Sequence, residues 1–196
     1  SSEEAVLFAV AEHPEPKRLL LIGGGAGGTL TQALKYKDLK IDYVELDPKI
    51  IELGENFLPD PEVGSLKNER VTIIHKDGRL FVRQKADEGV ELYDLIVPNL
   101  PDPYNAQLNR FYTKEFFGLV KKLLLRDGIF SFRATSSENY LNPEQALYIS
   151  SLYRTLSSEF KSVIVLPGSN NVFLASQGEN LTYDWMKISE SLKKKN

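Results

Sequence analysis

The glycine-rich segment 23–28 holds the residues whose types and spacing point most directly to chemistry. It reads Gly-Gly-Gly-Ala-Gly-Gly and follows the apolar run 18–22. Gly23, Gly25 and Gly28 have the spacing of loops in which a nucleotide approaches the backbone closely, beside the free N–H groups of a following helix. Because a tight strand-to-helix turn also uses glycines, this spacing alone does not establish a nucleotide site.

Two acidic residues follow at the ends of the next predicted strands. Glu45 lies 17 residues after Gly28, where a carboxylate can accept both hydrogen bonds of a ribose diol. Asp77 ends the third predicted strand, where it could accept from an adenine amino group or cap the helix that begins at Gly78. Together with the glycines, these carboxylates predict a site for NAD or for an S-adenosyl compound.

A polar and aromatic stretch, residues 104–112, follows the fourth predicted strand and includes Asn105, Asn109 and Arg110. Ligands of open α/β sheets bind at this edge, so we predict that Tyr104, Gln107 and Tyr112 line a site for an acceptor substrate. Alternatively, the stretch is a loop that leads into the next helix. The segment 136–140 follows the fifth strand and could add polar groups to the same rim.

Short apolar runs alternate with segments of helical periodicity along most of the chain. The strands are predicted at 18–23, 40–46, 71–77, 93–98, 128–134, 162–166 and 171–176. The helices are predicted at 29–36, 49–57, 80–85, 113–125 and 143–160, with Pro48 and Pro143 in first turns. Alternation of this kind predicts parallel strands with right-handed crossovers. The turn residues 167–170 instead predict a hairpin between the last two strands.

This pattern predicts an α/β fold with a methyltransferase-like (Rossmann-like) sheet. The sheet has seven mostly parallel strands, helices on both faces and a C-terminal antiparallel hairpin. We expect residues 1–196 to form one domain, with a leading helix at 1–12, a core at 13–177 and a C-terminal helix at 178–196.

The amino-acid composition argues against several classes of function. A net charge of -3 and a pI near 5.5 give no electrostatic footprint for nucleic acid. The chain has no Cys and two His, which predicts neither disulfides nor a metal centre. No apolar run reaches membrane-spanning length, so we expect no membrane contact by this chain and a cytoplasmic location. The chain begins at Ser1 rather than Met, as a piece of a longer protein would.

Taken together, the segments resemble the spermidine synthase family, the polyamine aminopropyltransferases, over roughly residues 13–177. They are Gly-Gly-Gly-Ala-Gly-Gly at 23–28, Val-Glu-Leu-Asp-Pro at 44–48, Asp-Gly at 77–78, Tyr-Asp-Leu-Ile-Val at 93–97, Asp-Pro at 102–103 and Phe-Tyr-Thr-Lys-Glu-Phe-Phe at 111–117. The segment 107–117 is most similar to a subgroup fused to membrane-spanning regions. This likeness implies a covalent link to such a region.

The resemblance implies the methyltransferase-like fold and aminopropyl transfer from decarboxylated S-adenosylmethionine to putrescine, which releases methylthioadenosine. It implies that Glu45 holds the ribose and that Asp77 and Gly78 meet the adenine. It further implies a small-molecule amine as acceptor and a homodimer, with no metal.

The chain departs from the family pattern at two aspartates. The family reads Gly-Gly-Gly-Asp-Gly-Gly, and that aspartate holds the ammonium-bearing arm of the donor; here Ala26 stands in its place. The family next reads Asp-x-x-Asp-Pro, whose first aspartate helps to remove a proton from the attacking amine. Here Asn99 takes this position, and an amide is no general base near neutral pH, while Asp102 remains. The small N-terminal β-hairpin region of the family does not precede the core in this chain.

Three hypotheses follow. The first is a spermidine-synthase-like transferase with a different donor or acceptor, with S-adenosylmethionine, decarboxylated S-adenosylmethionine or methylthioadenosine as the ligand. The second is a non-catalytic domain that binds a nucleotide or has a regulatory role. The third is an amino-group methyltransferase, because residues 99–104 loosely resemble the Asn-Pro-Pro-Tyr loop of those enzymes.

Overall fold

Seven strands in the described part of the chain form one sheet. The structure is a computed structural model, and it describes residues 4–89, 92–137 and 142–195. The strands are β1 Arg18–Ile22, β2 Lys40–Glu45, β3 Val71–His75, β4 Tyr93–Pro98, β5 Leu124–Thr135, β6 Ser162–Leu166 and β7 Asn170–Ser176. Their order is β3-β2-β1-β4-β5-β7-β6. Only β7 among them is antiparallel to its neighbours β5 and β6, which confirms the predicted sheet and its terminal hairpin.

Helices cover both faces of this sheet. They are α1 Glu4–Glu12, α2 Leu30–Ala33, α3 Pro48–Phe57, α4 Glu62–Leu66, α5 Gly78–Asp87, α6 Ala106–Asn109, α7 Lys114–Leu123, α8 Pro143–Ser157 and α9 Trp185–Lys195. Alternate residues of β1 point to opposite faces, so Leu19 and Leu21 join one apolar cluster and Leu20 and Ile22 join the other. The buried faces therefore hold the carboxyl ends of β1, β2 and β4 in one rigid frame.

Local signals set where several helices begin. Pro48 and Pro143 open α3 and α8 as predicted, and the side chain of Asp47 caps α3 by accepting from the Lys49 N–H at 2.9 Å. Asn142 forms a capping box with Gln145 at the start of α8.

The prediction was wrong at the junction of α7 and β5. The helix ends at Leu123 rather than 125, and β5 begins at Leu124 rather than 128. Leu124 pairs with Tyr93 and Ile129 with Leu95, so the extra residues of β5 form a bulge. At Gly128 an added Cβ would lie 2.8 Å from a backbone oxygen, which explains the glycine there.

Two other predicted helices are longer than those in the structure. The segment 29–36 contains only α2, because an irregular wide turn at Gly25–Thr29 precedes it. The last predicted long helix, 143–160, ends at Ser157.

A buried carboxylate lies at the end of α1. Glu12 is 6% exposed, and its Oε2 atom accepts from the Thr182 N–H at 3.1 Å. The Oε1 atom has no hydrogen-bond partner among the described residues. Burial raises the pKa of Glu12 to about 7, against the opposing effects of the Thr182 hydrogen bond and the nearby Lys195 cation.

This pKa predicts a pH-dependent gain of stability for Glu12→Gln. The carboxyl binds its proton more tightly in the folded chain, so wild-type stability is lost as pH rises from about 4.5 to about 7. The neutral amide removes that cost, and we expect its melting temperature to exceed that of wild type by about 4–8 °C at pH 8. Near pH 4.5 the two proteins should melt together. Thermal scans across this range test this, with exposed Glu55→Gln as control, and a difference independent of pH would contradict it.

Candidate functional site

A cleft of about 230 Å³ opens at the carboxyl ends of the parallel strands. It lies where β1 has β2 on one side and β4 on the other, the switch point at which open α/β sheets bind ligands. Its apolar walls include Ile22, Val44, Leu46, Leu100, Pro101 and Leu108. Its polar groups include Glu45, Asp77, Tyr104, Asn105, Gln107 and Arg110. A flat apolar slot with a polar rim suits a nucleobase and its sugar.

The glycine segment packs too closely on its neighbours to carry side chains at two positions. Gly24 has a φ of +62°, and a Cβ there would lie 2.6 Å from the backbone oxygen of Asn99. A Cβ on Gly25 would lie 2.7 Å from the Tyr43 ring. The close approach is therefore to the protein itself, while Gly23 lines the cleft.

Asn99 ties the end of β4 to this segment. Its side-chain Nδ2 donates to the Thr29 hydroxyl at 2.9 Å and to the Gly24 carbonyl at 3.1 Å. An ionised carboxylate has no N–H and could not donate to the Gly24 carbonyl. The Asn99 amide thus acts as a hydrogen-bond donor that holds the glycine segment.

Ala26 lies beneath the segment rather than in the cleft. It is 8% exposed and belongs to an apolar cluster with Leu66 and Ile51. A Cβ built on Gly54 would lie 3.7 Å from the Ala26 methyl group. The sequence predicts Ala26 among the cofactor-contacting positions, but the structure directs its side chain toward α3 and α4. Gly28, at φ +99°, lies inside the irregular turn that leads into α2 and does not line the described cleft.

Glu45 presents a fixed carboxylate to the cleft. It is 6% exposed, its Oε2 accepts from the Tyr43 hydroxyl at 2.7 Å, and its Oε1 accepts from the Asp47 N–H at 3.3 Å. Burial, followed by the Glu45 carboxylate, raises the pKa of Tyr43, so this phenol remains a donor. Sequence reasoning missed Tyr43. Its position two residues before Glu45, on the same face of β2, was the available signal.

Asp77 caps α5, one of its two predicted roles, and also lines the cleft. Its Oδ1 accepts from the Leu80 N–H at 2.9 Å. Its Oδ2 accepts from the guanidinium of Arg110. Gly78 lies against Ile22, where a Cβ would overlap the isoleucine side chain. Arg110 belongs to the polar stretch after β4 that was predicted to line the acceptor site, but its ion pair with Asp77 was not predicted, because it joins segments that only the fold brings together.

Two of the three predicted acceptor-site residues line the cleft, and the third does not. Tyr104, at 77% exposed, and Gln107 both line the open side of the cleft. Tyr112 does not line it: the residue is 6% exposed, and its hydroxyl donates to the Pro101 carbonyl at 3.1 Å. Its ring packs edge-on against Phe132, so aromatic packing rather than ligand access explains its place.

Asp102 also lies outside the cleft lining. Its Oδ1 accepts from the Thr135 N–H at 3.1 Å and from the Tyr148 hydroxyl at 3.3 Å. These contacts anchor the loop after β4 to β5 and α8. Ser136 and Ser137 follow β5, whereas the remainder of the predicted rim, residues 138–140, lies outside the described residues.

Among residues 4–89, 92–137 and 142–195, no three His, Asp or Glu side chains are grouped so as to hold a metal ion. No helix found there has the length and apolar character that a membrane crossing requires.

Relatives match this chain along most of its length. Residues 2–173 match the model of the spermine/spermidine synthase domain. The polyamine aminopropyltransferase of Pyrobaculum arsenaticum is 31% identical over 177 residues, which cover 89% of this chain and 58% of that protein. The chain spans about half the length of the curated relatives that it matches.

Two solved structures share the fold. A spermidine synthase in complex with the transition-state analogue AdoDATO has a TM-score of 0.75 at 24% identity, covering 98% of this chain and 72% of that one. Human methyltransferase-like protein 13 in complex with SAH has a TM-score of 0.74 at 18% identity, covering 98% and 88%. At these identities the likeness concerns the fold, whereas the family model matches nearly the whole sequence. The chain therefore belongs to the spermine/spermidine synthase domain family.

Proposed function

We propose that the cleft binds the adenosyl part of an S-adenosyl-type ligand, in a transferase domain whose acceptor chemistry differs from putrescine aminopropylation. The observation that carries the proposal is the buried Glu45 carboxylate, held by Tyr43 at the wall of an apolar slot. Structures of the same fold hold AdoDATO and SAH, which supports an adenosyl ligand.

Each part of the ligand has a partner in this proposal. Glu45 accepts from the two ribose hydroxyls, and the Asp47 and Tyr43 contacts keep its carboxylate oriented. Leu46 and Leu100 pack against the base, while Asp77 accepts from its amino group. The backbone at Gly23 leaves room for the ligand beside the glycine segment.

The side chains available in this chain differ from those that ordinary aminopropyl transfer requires. An attacking amine must lose a proton, which requires a base within hydrogen-bond reach. Asn99 is an amide engaged as a donor, and Asp102 accepts from Thr135 and Tyr148 away from the cleft. Ala26 brings no charge to a donor's ammonium group. We therefore infer that the reaction uses a different small-molecule amine or a different donor. Binding without transfer is the second candidate function, and the Asn99 amide favours it.

Calorimetric titration with methylthioadenosine, S-adenosylmethionine and decarboxylated S-adenosylmethionine tests this proposal. We expect all three to bind, with dissociation constants within about tenfold of one another, since Glu45 and Asp77 would meet the ribose and the base that all three share. Incubation with decarboxylated S-adenosylmethionine and putrescine should yield no spermidine by mass spectrometry.

Two results would contradict the proposal separately. Binding of none of the three ligands would remove the adenosyl site. Spermidine formation would show that Asn99 and Ala26 do not prevent the family reaction, in line with the relatives that are named polyamine aminopropyltransferases.

A further inference from the structure

An ion pair joins two elements that line the cleft. Arg110, directly after α6, donates to the carboxylate of Asp77 at the start of α5. The Arg110 Nε atom also donates to the Gln107 carbonyl at 2.8 Å, and the guanidinium carbon lies 5.1 Å from the centre of the Phe111 ring. The guanidinium of Arg79 also donates to the Arg110 backbone carbonyl. Both members of the pair line the cleft, so a bound ligand meets them together.

The pair offers the cleft an acceptor beside a donor. A carboxylate can accept about four hydrogen bonds and a guanidinium carries five N–H donors. Among the described contacts, Asp77 accepts from Leu80 and Arg110, and Arg110 donates to Gln107 and Asp77. Both side chains are partly exposed. Each therefore keeps hydrogen-bonding capacity for a ligand.

We propose that Arg110 and Asp77 read the nucleobase together, which makes Arg110 a specificity-determining residue. The inference rests on the proposed function, in which the base lies against Asp77. An acceptor oxygen next to a donor nitrogen matches the edge of adenine, whose amino group donates and whose neighbouring ring nitrogen accepts. Hypoxanthine reverses this pattern: its carbonyl oxygen would face the Asp77 carboxylate as a second acceptor, and its ring N–H would face the Arg110 guanidinium as a second donor.

Arg110 adds to what a lone carboxylate would select. Asp77 alone would accept from the adenine amino group and would repel the carbonyl oxygen of hypoxanthine, because two acceptors would face each other. With Arg110 beside it, the adenine ring nitrogen gains a charged donor, whereas the ring N–H of hypoxanthine would face that donor. The cleft should therefore prefer adenine over hypoxanthine on the same sugar more strongly than Asp77 alone would.

A structural role for the pair makes a different prediction. If Arg110 served only to tie α6 to α5, its loss would weaken every ligand of the cleft by the same factor. The ratio of two affinities, rather than either affinity, therefore separates base reading from a structural tie.

The experiment is calorimetry with methylthioadenosine and methylthioinosine. We expect wild type to bind methylthioinosine at least about 100-fold more weakly than methylthioadenosine. Arg110→Met keeps an apolar stem over Phe111 and removes the donors, so the ratio of the methylthioinosine to the methylthioadenosine dissociation constant should fall at least about tenfold. Arg110→Lys retains a cationic donor and should keep a ratio near wild type. Arg83→Met, on the exposed side of α5, is the matched control.

Each outcome bears on one statement. A lowered ratio in Arg110→Met alone supports base reading. Equal losses for both ligands, or a wild type that binds the two within about threefold, would overturn it while leaving the adenosyl site intact. Wild type that binds neither compound would overturn the proposed function itself.

Discussion

In a Glu45→Gln variant, the dissociation constant of methylthioadenosine is expected to rise at least about 100-fold. The carboxylate offers two acceptor oxygens, and we propose that both ribose hydroxyls donate to it. The amide keeps one acceptor and turns the other position into a donor, which opposes a hydroxyl. A hydrogen bond to a charged group contributes about 1.5–3 kcal/mol, enough for this loss.

The same substitution should leave the fold largely intact. The amide oxygen can still accept from the Tyr43 hydroxyl, which now donates to Glu45 at 2.7 Å. The side-chain NH₂ takes the place of Oε1 and faces the Asp47 N–H, which now donates to Oε1 at 3.3 Å. We therefore expect the free energy of unfolding to fall by about 1–3 kcal/mol. Exposed Glu52→Gln on α3 serves as the matched control for charge.

A ligand analogue sharpens this test. Methylthioadenosine that lacks the ribose 2′-hydroxyl should bind wild type more weakly but should lose little further affinity in Glu45→Gln, because the two changes remove the same contact. Independent, additive losses would place the diol elsewhere. A loss below about threefold for the natural ligand would reject the role of Glu45.

Asn99→Asp is expected to destabilise this protein by about 2–3 kcal/mol at pH 8. The Nδ2 atom now donates to Gly24 and Thr29, and an ionised carboxylate would instead face the Gly24 carbonyl as a second acceptor. Protonation would restore a donor, so the destabilisation should shrink toward pH 4.5. Denaturant unfolding at both pH values measures this.

The control is Asn56→Asp, an exposed asparagine whose Nδ2 donates to the Glu52 carbonyl within α3 at 2.8 Å. It should cost less than about 1 kcal/mol, because water can replace the lost bond. Equal effects at the two positions would deny Asn99 its role in the loop. Efficient spermidine formation by Asn99→Asp would show that this one residue blocks the family reaction.

Much of the site was predictable because it depends on strand ends. In a parallel sheet, residues that follow successive strands meet at one edge, so Gly23, Glu45 and Asp77 could be placed together from their spacing alone. The apolar runs and helical periodicity likewise predicted the order and class of the elements, and the proline and turn signals placed the starts of α3 and α8. These features are local, which is why sequence reasoning reached them.

The exact ends of the helices and strands depended on contacts between distant segments, which local sequence patterns do not contain. The early start of β5 follows from the pairing of Leu124 with Tyr93, and the shortened α2 follows from the wide turn at Gly25–Thr29. Tyr112 was predicted at the acceptor site from its type, yet packing on Phe132 buries it.

The sequence by itself determined that this chain has the family's sheet, its glycine segment and a carboxylate after each of β2 and β3. Only the tertiary structure decided what the altered positions do. Asn99 meets Gly24 across 75 positions and Arg110 meets Asp77 across 33, and the Ala26 methyl turns toward α3 and α4. Side-chain direction and partner choice arise from packing between distant segments, so a residue's type shows what it can bond but not which group it meets.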